Sequence, residues 1–285
     1  MALEVVRATP AALPLPLQLN PELATRYLVG FLREEIVRKR GMSKVVLGLS
    51  GGVDSATSAF LAAQALGPAN VVCVRLPYRL SSEASLDHAR LVTEQLGTEE
   101  RTVDISAMVD GYAEGASPDG LRLGNLCARC RMAVLYDISM EVGGLVLGTS
   151  NKTERLLGYY TWHADDTPAV NPLGDLYKTQ VWDLARHLGV PSEIVDKAPT
   201  ADLVPGQTDV GDIGVSYELA DRMLLHIVRG ANVERLVELG FELAAAELVV
   251  GRHDRTHWKR HLPTNAVLSD TAVGVGYLRP VDYRG

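Results

Sequence analysis

The sequence predicts an α/β fold, a doubly wound parallel sheet followed by a helical C-terminal portion. Short apolar runs alternate with helical stretches in the first half of the chain, as is typical of a parallel sheet covered on both faces. In the second half, the apolar residues recur mostly at helical spacing. The 285 residues suffice for one large domain or two small ones. Because we find no internal repeat or clear linker, we expect a single domain.

Residues 1–20 are expected to form an extended arm. Four prolines interrupt this start, which can therefore form neither the apolar core of a secretory signal nor a membrane-spanning helix: Pro10, Pro14, Pro16 and Pro21. From Pro21 the sequence predicts an amphipathic helix that ends at Gly41. Its apolar stripe consists of Leu23, Tyr27, Leu28, Phe31, Leu32 and Ile36.

Four strands and six further helices follow. The strands are KVVLGL (44–49), NVVCVRL (70–76), RTVDI (101–105) and GLVLGT (144–149). The helices are expected at 53–66, 83–96, 125–142, 177–189, 216–230 and 233–240. Two long loops remain, at 149–176 and 196–214. Such loops beyond strand ends usually bind the ligand of an open α/β fold.

The overall composition favours a small-molecule partner. The 28 basic and 35 acidic residues give a formal charge of −7, which argues against a broad surface for nucleic acid but allows a local basic pocket. We expect no membrane partner. The three cysteines, Cys73, Cys127 and Cys130, are too few for a Cys₄ zinc site and are typical of a reducing compartment such as the cytoplasm.

The segment SGGVDS, Ser50 to Ser55, lies between a predicted strand and a predicted helix. Its glycines allow a tight turn whose N–H groups face an anion, and the helix adds its positive end. The lysine of the usual phosphate loop is absent, and Asp54 is present instead. A carboxylate beside phosphates needs a cation between them, which predicts Mg²⁺. The alternative is an ordinary turn with Asp54 as a capping residue.

The SGGVDS segment resembles the loop of the ATP pyrophosphatase group, or PP-loop superfamily, whose members split ATP between its α and β phosphates. Five later segments resemble, in order, the motifs of the ammonia-dependent NAD synthetase family, and the likeness covers residues 21–263. These segments are LGNLCARCRMAVLYD (123–137), LGTSNKTERLLGYYT (147–161), NPLGDLYKTQVWDLARHLGVP (171–191), PTADLVPGQTDVGDIGVSYELAD (199–221) and THWKRHLP (256–263).

The resemblance implies a Rossmann-like, adenine nucleotide α-hydrolase-like fold in a single domain over residues 1–285. Within it, the arm (1–20) precedes the family-like core (21–263), and a tail (264–285) follows. The implied reaction is the amidation of deamido-NAD to NAD. The nicotinate carboxylate attacks the α-phosphate of ATP, pyrophosphate leaves, and ammonia displaces AMP from the acyl adenylate. The family also implies a homodimer.

The resemblance also implies most of the site residues on the ATP side. The ATP contacts are Gly48, Leu49, Ser50, Gly51, Gly52, Val53, Asp54, Ser55, Thr149, Lys178 and Thr200. Asp54 and Glu154 are the implied Mg²⁺ ligands. From the residues alone, Glu154 could equally be a solvated loop acid and Lys178 a helix-surface lysine, while the two threonines could serve as turn or capping hydroxyls.

On the substrate side the resemblance implies that Arg129 and Lys259 contact deamido-NAD and that Asp165 is the base that deprotonates ammonium. Trp162 and Ala169 stand where the family usually has Lys and Asp, and Trp258 replaces a His. We expect the two tryptophans to contact substrate through their aromatic planes. Alternatively, the segment around Asp165 is a plain polar turn and RTHWKR a basic helix end.

Two other functions remain open at this point. The chain could be another adenylating enzyme with the same loop, such as a tRNA-modifying or GMP-forming one, although its acidic balance and the lack of an added domain argue against both. It could also be an ATP-binding sensor with a degenerate site. The presence of Asp54, Glu154 and Lys178 argues against a loss of chemistry.

Overall fold

Four parallel strands form one sheet at the centre of the computed structural model, which describes residues 15–81, 83–116, 118–200, 208–261 and 264–283. The strands are β1 (Lys44–Gly48), β2 (Val71–Arg75), β3 (Glu99–Thr102) and β4 (Gly144–Val146). They lie in the order β3-β2-β1-β4, and every neighbouring pair is parallel. The predicted parallel α/β sheet is therefore confirmed.

Helices cover both faces of this sheet and make up the C-terminal half. They are α1 (Pro21–Leu32), α2 (Val53–Leu66), α3 (Glu83–Leu96), α4 (Ser106–Ala116), α5 (Gly120–Val142), α6 (Lys152–Leu157), α7 (Lys178–Leu188), α8 (Ser192–Val195), α9 (Asp209–Ile213), α10 (Tyr217–Ile227), α11 (Val233–Glu238) and α12 (Leu243–Arg255). A π-helical segment, Arg33–Arg38, continues α1, and 3₁₀ turns occupy Leu15–Leu17, Pro68–Asn70 and His257–Arg260.

Alternate residues of β1 point into two separate hydrophobic cores. Val45 and Leu47 pack with α1, α2 and α7, whereas Val46 packs with residues of α4 and α5. Because successive side chains of a strand face opposite sides, a strand covered on both faces must be apolar throughout. This explains why the run 44–49 was recognisable from the sequence.

The edge strand β3 differs from its prediction. It covers Glu99–Thr102, whereas the sequence placed a strand at 101–105. Three of its four residues are charged, and Glu100 accepts a hydrogen bond from Arg75 of β2 at 2.5 Å. The strand was misplaced because the prediction relied on a hydrophobic run, whereas charged side chains are tolerated at the edge of a sheet.

The first helix buries a narrower row than the predicted stripe. Leu28, Leu32 and Ile36 are buried, but Leu23 and Tyr27 are 60% and 72% exposed. The core-facing row passes through Ala24, Leu28 and Leu32, at the i, i+4 spacing. Leu23 and Tyr27 each precede this row by one position and therefore lie to one side of it.

The C-terminal half is helical, as predicted, and forms a third core between α10, α11 and α12. Leu17 belongs to this core and is fully buried. The described end of the predicted arm is therefore a packed 3₁₀ turn rather than an extended segment, and residues 1–14 lie outside the described part. Five helices, α4, α6, α8, α9 and α12, fall where none was predicted, and α6 and α9 lie within the two segments predicted as loops. The helices α6, α8 and α9 have only four to six residues each and were therefore too short to show a helical period.

The state of the cysteines and the character of the helices can be compared with what the composition predicts. Cys73, Cys127 and Cys130 are free thiols, and the first two are buried in the cores on opposite faces of the sheet. Among the helices of the described ranges, none combines the length and apolar character required to cross a bilayer.

The first prediction concerns the core beneath the site. Leu61 of α2 is fully buried, so Leu61→Ala is expected to lower the free energy of unfolding by about 2–5 kcal/mol through the lost apolar contacts and the cavity. Urea denaturation measures the change. Leu23→Ala, at an exposed position, is the matched control and should stay within about 0.5 kcal/mol of wild type. Equal losses in both variants would contradict the burial.

Candidate active site

A cavity of about 940 Å³ opens at the carboxyl ends of β1, β2 and β4. Its walls come from the loop after β1, from α5, and from the segments 158–168 and 197–200. This is the edge at which open α/β sheets bind ligands. Of the predicted site residues, the cavity is lined by Gly48, Leu49, Ser50, Gly52, Val53, Asp54, Ser55, Thr149, Glu154, Asp165, Lys178, Thr200 and Lys259.

The loop Ser50–Gly52 is a compact turn held by its own hydroxyls. The Ser50 N–H donates to Ser55 Oγ at 3.2 Å, and Ser55 Oγ donates to the Gly52 carbonyl at 3.0 Å. Gly51 has φ +76°, and a Cβ there would overlap the Ser85 carbonyl of α3. Only glycine fits this turn, which directs the positive start of α2 toward the cavity.

Asp54, Glu154 and Lys178 meet at one wall of the cavity. Each belongs to the first turn of a different helix, namely α2, α6 and α7. The Lys178 ammonium pairs with Asp54 and lies 3.4 Å from Glu154 Oε1. Its side chain is only 3% exposed. The two predicted metal ligands and the lysine predicted to contact ATP are thus direct neighbours.

Burial and the neighbouring charges shift the pKa values of Lys178 and Glu154 in this cluster. Burial alone would lower the pKa of Lys178, but Asp54 and Glu154 together raise it, so the ammonium is held in its charged form. Burial, and then the negative charge of Asp54, raise the pKa of Glu154 to about 8, although Lys178 opposes the shift. One ammonium therefore does not satisfy both carboxylates, and the site favours a further positive charge.

Asn151 is a member of this cluster that sequence reasoning missed. It is fully buried, and its Nδ2 donates to Asp54 Oδ1 at 2.9 Å. Its Oδ1 accepts from the Glu154 N–H at 2.9 Å, which caps α6. Asn151 thereby links the two carboxylates. The spacing of Asn151 and Glu154 is that of a capping box and could have revealed the link.

Asp209 is a further carboxylate on the cavity wall that was not predicted. It accepts hydrogen bonds from the hydroxyls of Tyr217, at 2.8 Å, and Tyr159, at 3.1 Å. The ring of Tyr217 lies 5.0 Å from the Lys178 ammonium. Burial raises the pKa of Asp209, and the nearby Lys178 opposes the shift. The segment 196–214 resembles a loop in sequence, so nothing in it singled out this residue.

Asp165 lines the cavity in the segment 158–168. Its Oδ2 accepts from the Thr161 N–H at 2.7 Å. The Asp165 side chain is exposed to the open cavity. The surrounding protein nevertheless displaces water from it and so raises the pKa of its carboxyl, while the Thr161 N–H, Arg131 and Lys259 oppose the shift. Asp165 is thus a carboxylate of increased basicity that faces the cavity and feels the positive charges of Arg131 and Lys259.

Lys259 fixes the turn that precedes Asp165. Its ammonium donates to the carbonyls of Gly158, at 2.7 Å, and Tyr160, at 2.5 Å, and lies 4.5 Å from the Tyr160 ring. The Tyr160 hydroxyl donates back to the Lys259 carbonyl at 2.6 Å. The basic segment is therefore docked on the site and is not merely a charged helix end.

Arg129, Trp162 and Trp258 do not line the cavity. Arg129 donates to the Trp162 carbonyl at 3.2 Å, and the two indole rings are 4.9 Å apart in an edge-to-face arrangement. The arginine that does line the cavity is Arg131, whose Nε donates to the Leu76 carbonyl at 3.0 Å. Residues two apart on a helix face different directions, which the pattern ARCR does not resolve.

Comparison with known proteins gives a consistent result. The family model described as NAD synthase matches residues 24–263. A protein of Chlorobaculum parvum named NH(3)-dependent NAD(+) synthetase is 47% identical over 279 residues, which are 95% of this chain and 98% of the relative.

Two solved structures share the fold over most of their length. The NMN synthetase of Francisella tularensis has a TM-score of 0.79 at 31% identity, covering 87% of this chain and 99% of the other. The NH3-dependent NAD synthetase of Campylobacter jejuni, in complex with the nitrate ion, has a TM-score of 0.75 at 30% identity, with 87% and 100% covered.

The second prediction tests the glycine turn. In Gly51→Ala the new methyl group overlaps Ser85 and forces the loop to shift, so we expect the affinity for ATP to fall at least about 10-fold. Gly97→Ala is the matched control, because Gly97 also has a positive φ, +67°, but nothing lies within 4 Å of its added Cβ. Titration calorimetry measures both, and equal ATP affinities would contradict the close approach.

Proposed function

The chain belongs to the NAD synthase family, and on this premise we propose that it amidates deamido-NAD with ammonia to form NAD⁺, using ATP as the activating co-substrate. It is a ligase that forms a carbon–nitrogen bond. The observation that carries the proposal is the cluster of Asp54, Lys178 and Glu154 beside the SGGVDS loop, within the region 24–263 that matches the family.

The reaction requires activation because a carboxylate is a poor electrophile. A nicotinate carboxylate oxygen attacks the α-phosphorus of ATP, the bond from that phosphorus to the bridging oxygen breaks, and pyrophosphate leaves with the electron pair. Ammonia then attacks the carbonyl carbon of the acyl adenylate, and AMP leaves. The ammonium ion must give up protons before or during this second step.

The turn and the helix starts are suited to the pyrophosphate. Backbone N–H groups of the SGGVDS loop and the positive ends of α2, α6 and α7 point to the same wall of the cavity. The buried Lys178 ammonium adds a fixed positive charge there. These groups stabilise the negative charge that develops on the leaving group, and they are in place before the reaction begins.

The residues present are suited to hold Mg²⁺. Asp54 and Glu154 supply hard carboxylate oxygens and approach one common cation, and the raised pKa of Glu154 indicates that Lys178 alone does not offset both negative charges. Both residues would bind the ion, and Asn151 would keep their carboxylates oriented through its two hydrogen bonds. When bound, the ion would neutralise charge on the phosphates of ATP.

Asp165 is our proposed base for the ammonia step. The Thr161 N–H holds its carboxylate toward the cavity, and its raised pKa makes it a better proton acceptor than an ordinary aspartate at neutral pH. Arg131, Lys259 and Arg129 are the cations that would receive the phosphates or the carboxylate of deamido-NAD. Trp162 and Trp258 lie beside Arg129 and outside the cavity lining, where a part of the substrate that extends beyond the cavity would stack on them.

We further propose that the active form is a homodimer that buries one face of α5. The proposal follows the family resemblance; on α5 the apolar side chains of Met140 and of Leu121, which also lines the cavity, are 83% and 77% exposed. The same helix carries Arg129 and Arg131. Sedimentation equilibrium of the purified protein checks the assembly state, and a monomer at micromolar concentration that retains full activity would rule the dimer out.

A mononucleotide substrate is the second candidate, because one of the compared structures is an NMN synthetase. Three relatives at 44–48% identity are named NH(3)-dependent NAD(+) synthetase, which favours the dinucleotide. The two substrates share the nicotinate carboxylate and differ only in the adenylate part. They can therefore be compared in a single assay.

The third prediction is the assay of the function itself. With deamido-NAD, ATP and ammonium, we expect NAD⁺, AMP and pyrophosphate in equal amounts. Glutamine should not replace ammonium efficiently. Nicotinate mononucleotide should react with a lower kcat/KM than deamido-NAD. ATP binding without any AMP release in the presence of deamido-NAD and ammonium would contradict the proposal, and a preference for the mononucleotide would favour the second candidate.

The fourth prediction concerns the cluster. Asp54→Asn removes the charge that pairs with Lys178 and that would hold the metal, so kcat is expected to fall about 100-fold or more. Chelation of Mg²⁺ should abolish wild-type activity. Asp175→Asn is the control, since this carboxylate is 94% exposed and forms an ion pair with Lys152 at the surface. Wild-type rates for Asp54→Asn would exclude this role.

A further inference from the structure

Asp221 of α10 is a buried carboxylate to which neither the reaction nor the family motifs assign a part. It is fully buried. Its Oδ1 accepts from the Thr153 hydroxyl at 2.5 Å, and its Oδ2 accepts from the Thr179 N–H at 2.9 Å. Thr153 precedes Glu154, and Thr179 follows Lys178. Both hydrogen bonds therefore end on direct neighbours of residues in the carboxylate–lysine cluster.

The start of α7 depends on these contacts because its own capping residue cannot supply them. The first N–H groups of a helix lack partners within the helix and usually bond to the side chain of the N-cap residue. Here the N-cap is Tyr177, which makes no side-chain cap bond. The Lys178 N–H donates instead to Thr153 Oγ1 at 2.9 Å, and the Thr179 N–H donates to Asp221.

Thr153 and Asp221 thus form one hydrogen-bonded chain across three helices. The Thr153 hydroxyl accepts from the Lys178 N–H of α7 and donates to the Asp221 carboxylate of α10, while Thr153 itself belongs to α6. The chain fixes the distance between the starts of α6 and α7. Those starts carry Glu154 and Lys178, which face each other across 3.4 Å.

We propose that Asp221, acting with Thr153, is a positioning residue of the enzyme. The two residues belong to other helices, cap the start of α7, and thereby hold Lys178 in position against Glu154 and Asp54. Burying this carboxylate is costly, since burial raises its pKa to about 6 although its hydrogen bonds oppose the shift. An apolar side chain would avoid that cost but would leave the Thr179 N–H without its acceptor.

The test rests on the proposed NAD⁺-forming activity and uses the full chain. In Asp221→Asn one of the two acceptor oxygens becomes an amide donor, so the Thr153 hydroxyl or the Thr179 N–H loses its partner. We expect kcat to fall about 10- to 100-fold, with the KM for deamido-NAD and for ammonium within about 2-fold of wild type. Thr153→Val should lower kcat likewise, and Thr153→Ser, which keeps the hydroxyl, should restore it.

A double-mutant cycle separates positioning from a general loss of structure. If Asp221 acts through Lys178, then Asp221→Asn should change kcat less than about 2-fold once Lys178→Gln is already present. The control for stability is Leu236→Ala, in the third core and away from the cavity. It should lower the melting temperature but leave kcat near the wild-type value.

Distinct outcomes overturn the two proposals. Wild-type kcat in Asp221→Asn and in Thr153→Val, or an undiminished effect of Asp221→Asn beside Lys178→Gln, would refute the positioning role while the proposed function stands. No NAD⁺ from the wild-type enzyme would refute the proposed function. If Asp221→Asn does not fold, the Thr153 pair of variants gives the answer alone.

Discussion

The arrangement of the site depends on one buried ammonium held between two carboxylates. Lys178 is sealed from solvent, and a buried charge of this kind is tolerable only when it is paired. Its partners come from α2 and α6, so the pairing draws together three segments far apart in the chain. The same cluster gathers two carboxylates around one ammonium, beside a loop suited to phosphate. The divalent cation proposed above would offset the negative charge that the second carboxylate and the phosphates bring together.

The sheet makes this meeting possible. Parallel strands end at a common edge, and the connection from β1 to α2 places Asp54 there directly. After β4, the segment through Asn151 turns into α6 beside it and brings Glu154 to the same place. The helical C-terminal half adds Lys259 to the wall of the cavity. The fold therefore supplies positions, and the chemistry comes from a few polar side chains at those positions.

Much of this could be predicted from the sequence, because burial on both faces forces β1 and β2 to be apolar and the loop after β1 has a distinctive composition. Asp54, Glu154 and Lys178 followed from motifs. What could not be predicted depends on three-dimensional proximity. Arg131 differs from Arg129 only in the direction it faces on α5. Asp209 and Asp221 come close to the cluster only in the folded chain, where they accept hydrogen bonds from Tyr159 and Thr153, which are distant in sequence.

The charged edge strand β3 also bears on how the molecule behaves in a crowded solution. An edge strand presents unpaired backbone groups that can recruit a strand from another molecule. In Glu99–Thr102 three charged side chains border that edge, and Arg101 bonds to both Glu99 and Glu141. Bringing a second copy alongside would strip water from these charged side chains, which is costly. The charged residues that made this strand hard to predict are therefore also expected to protect the sheet against aggregation.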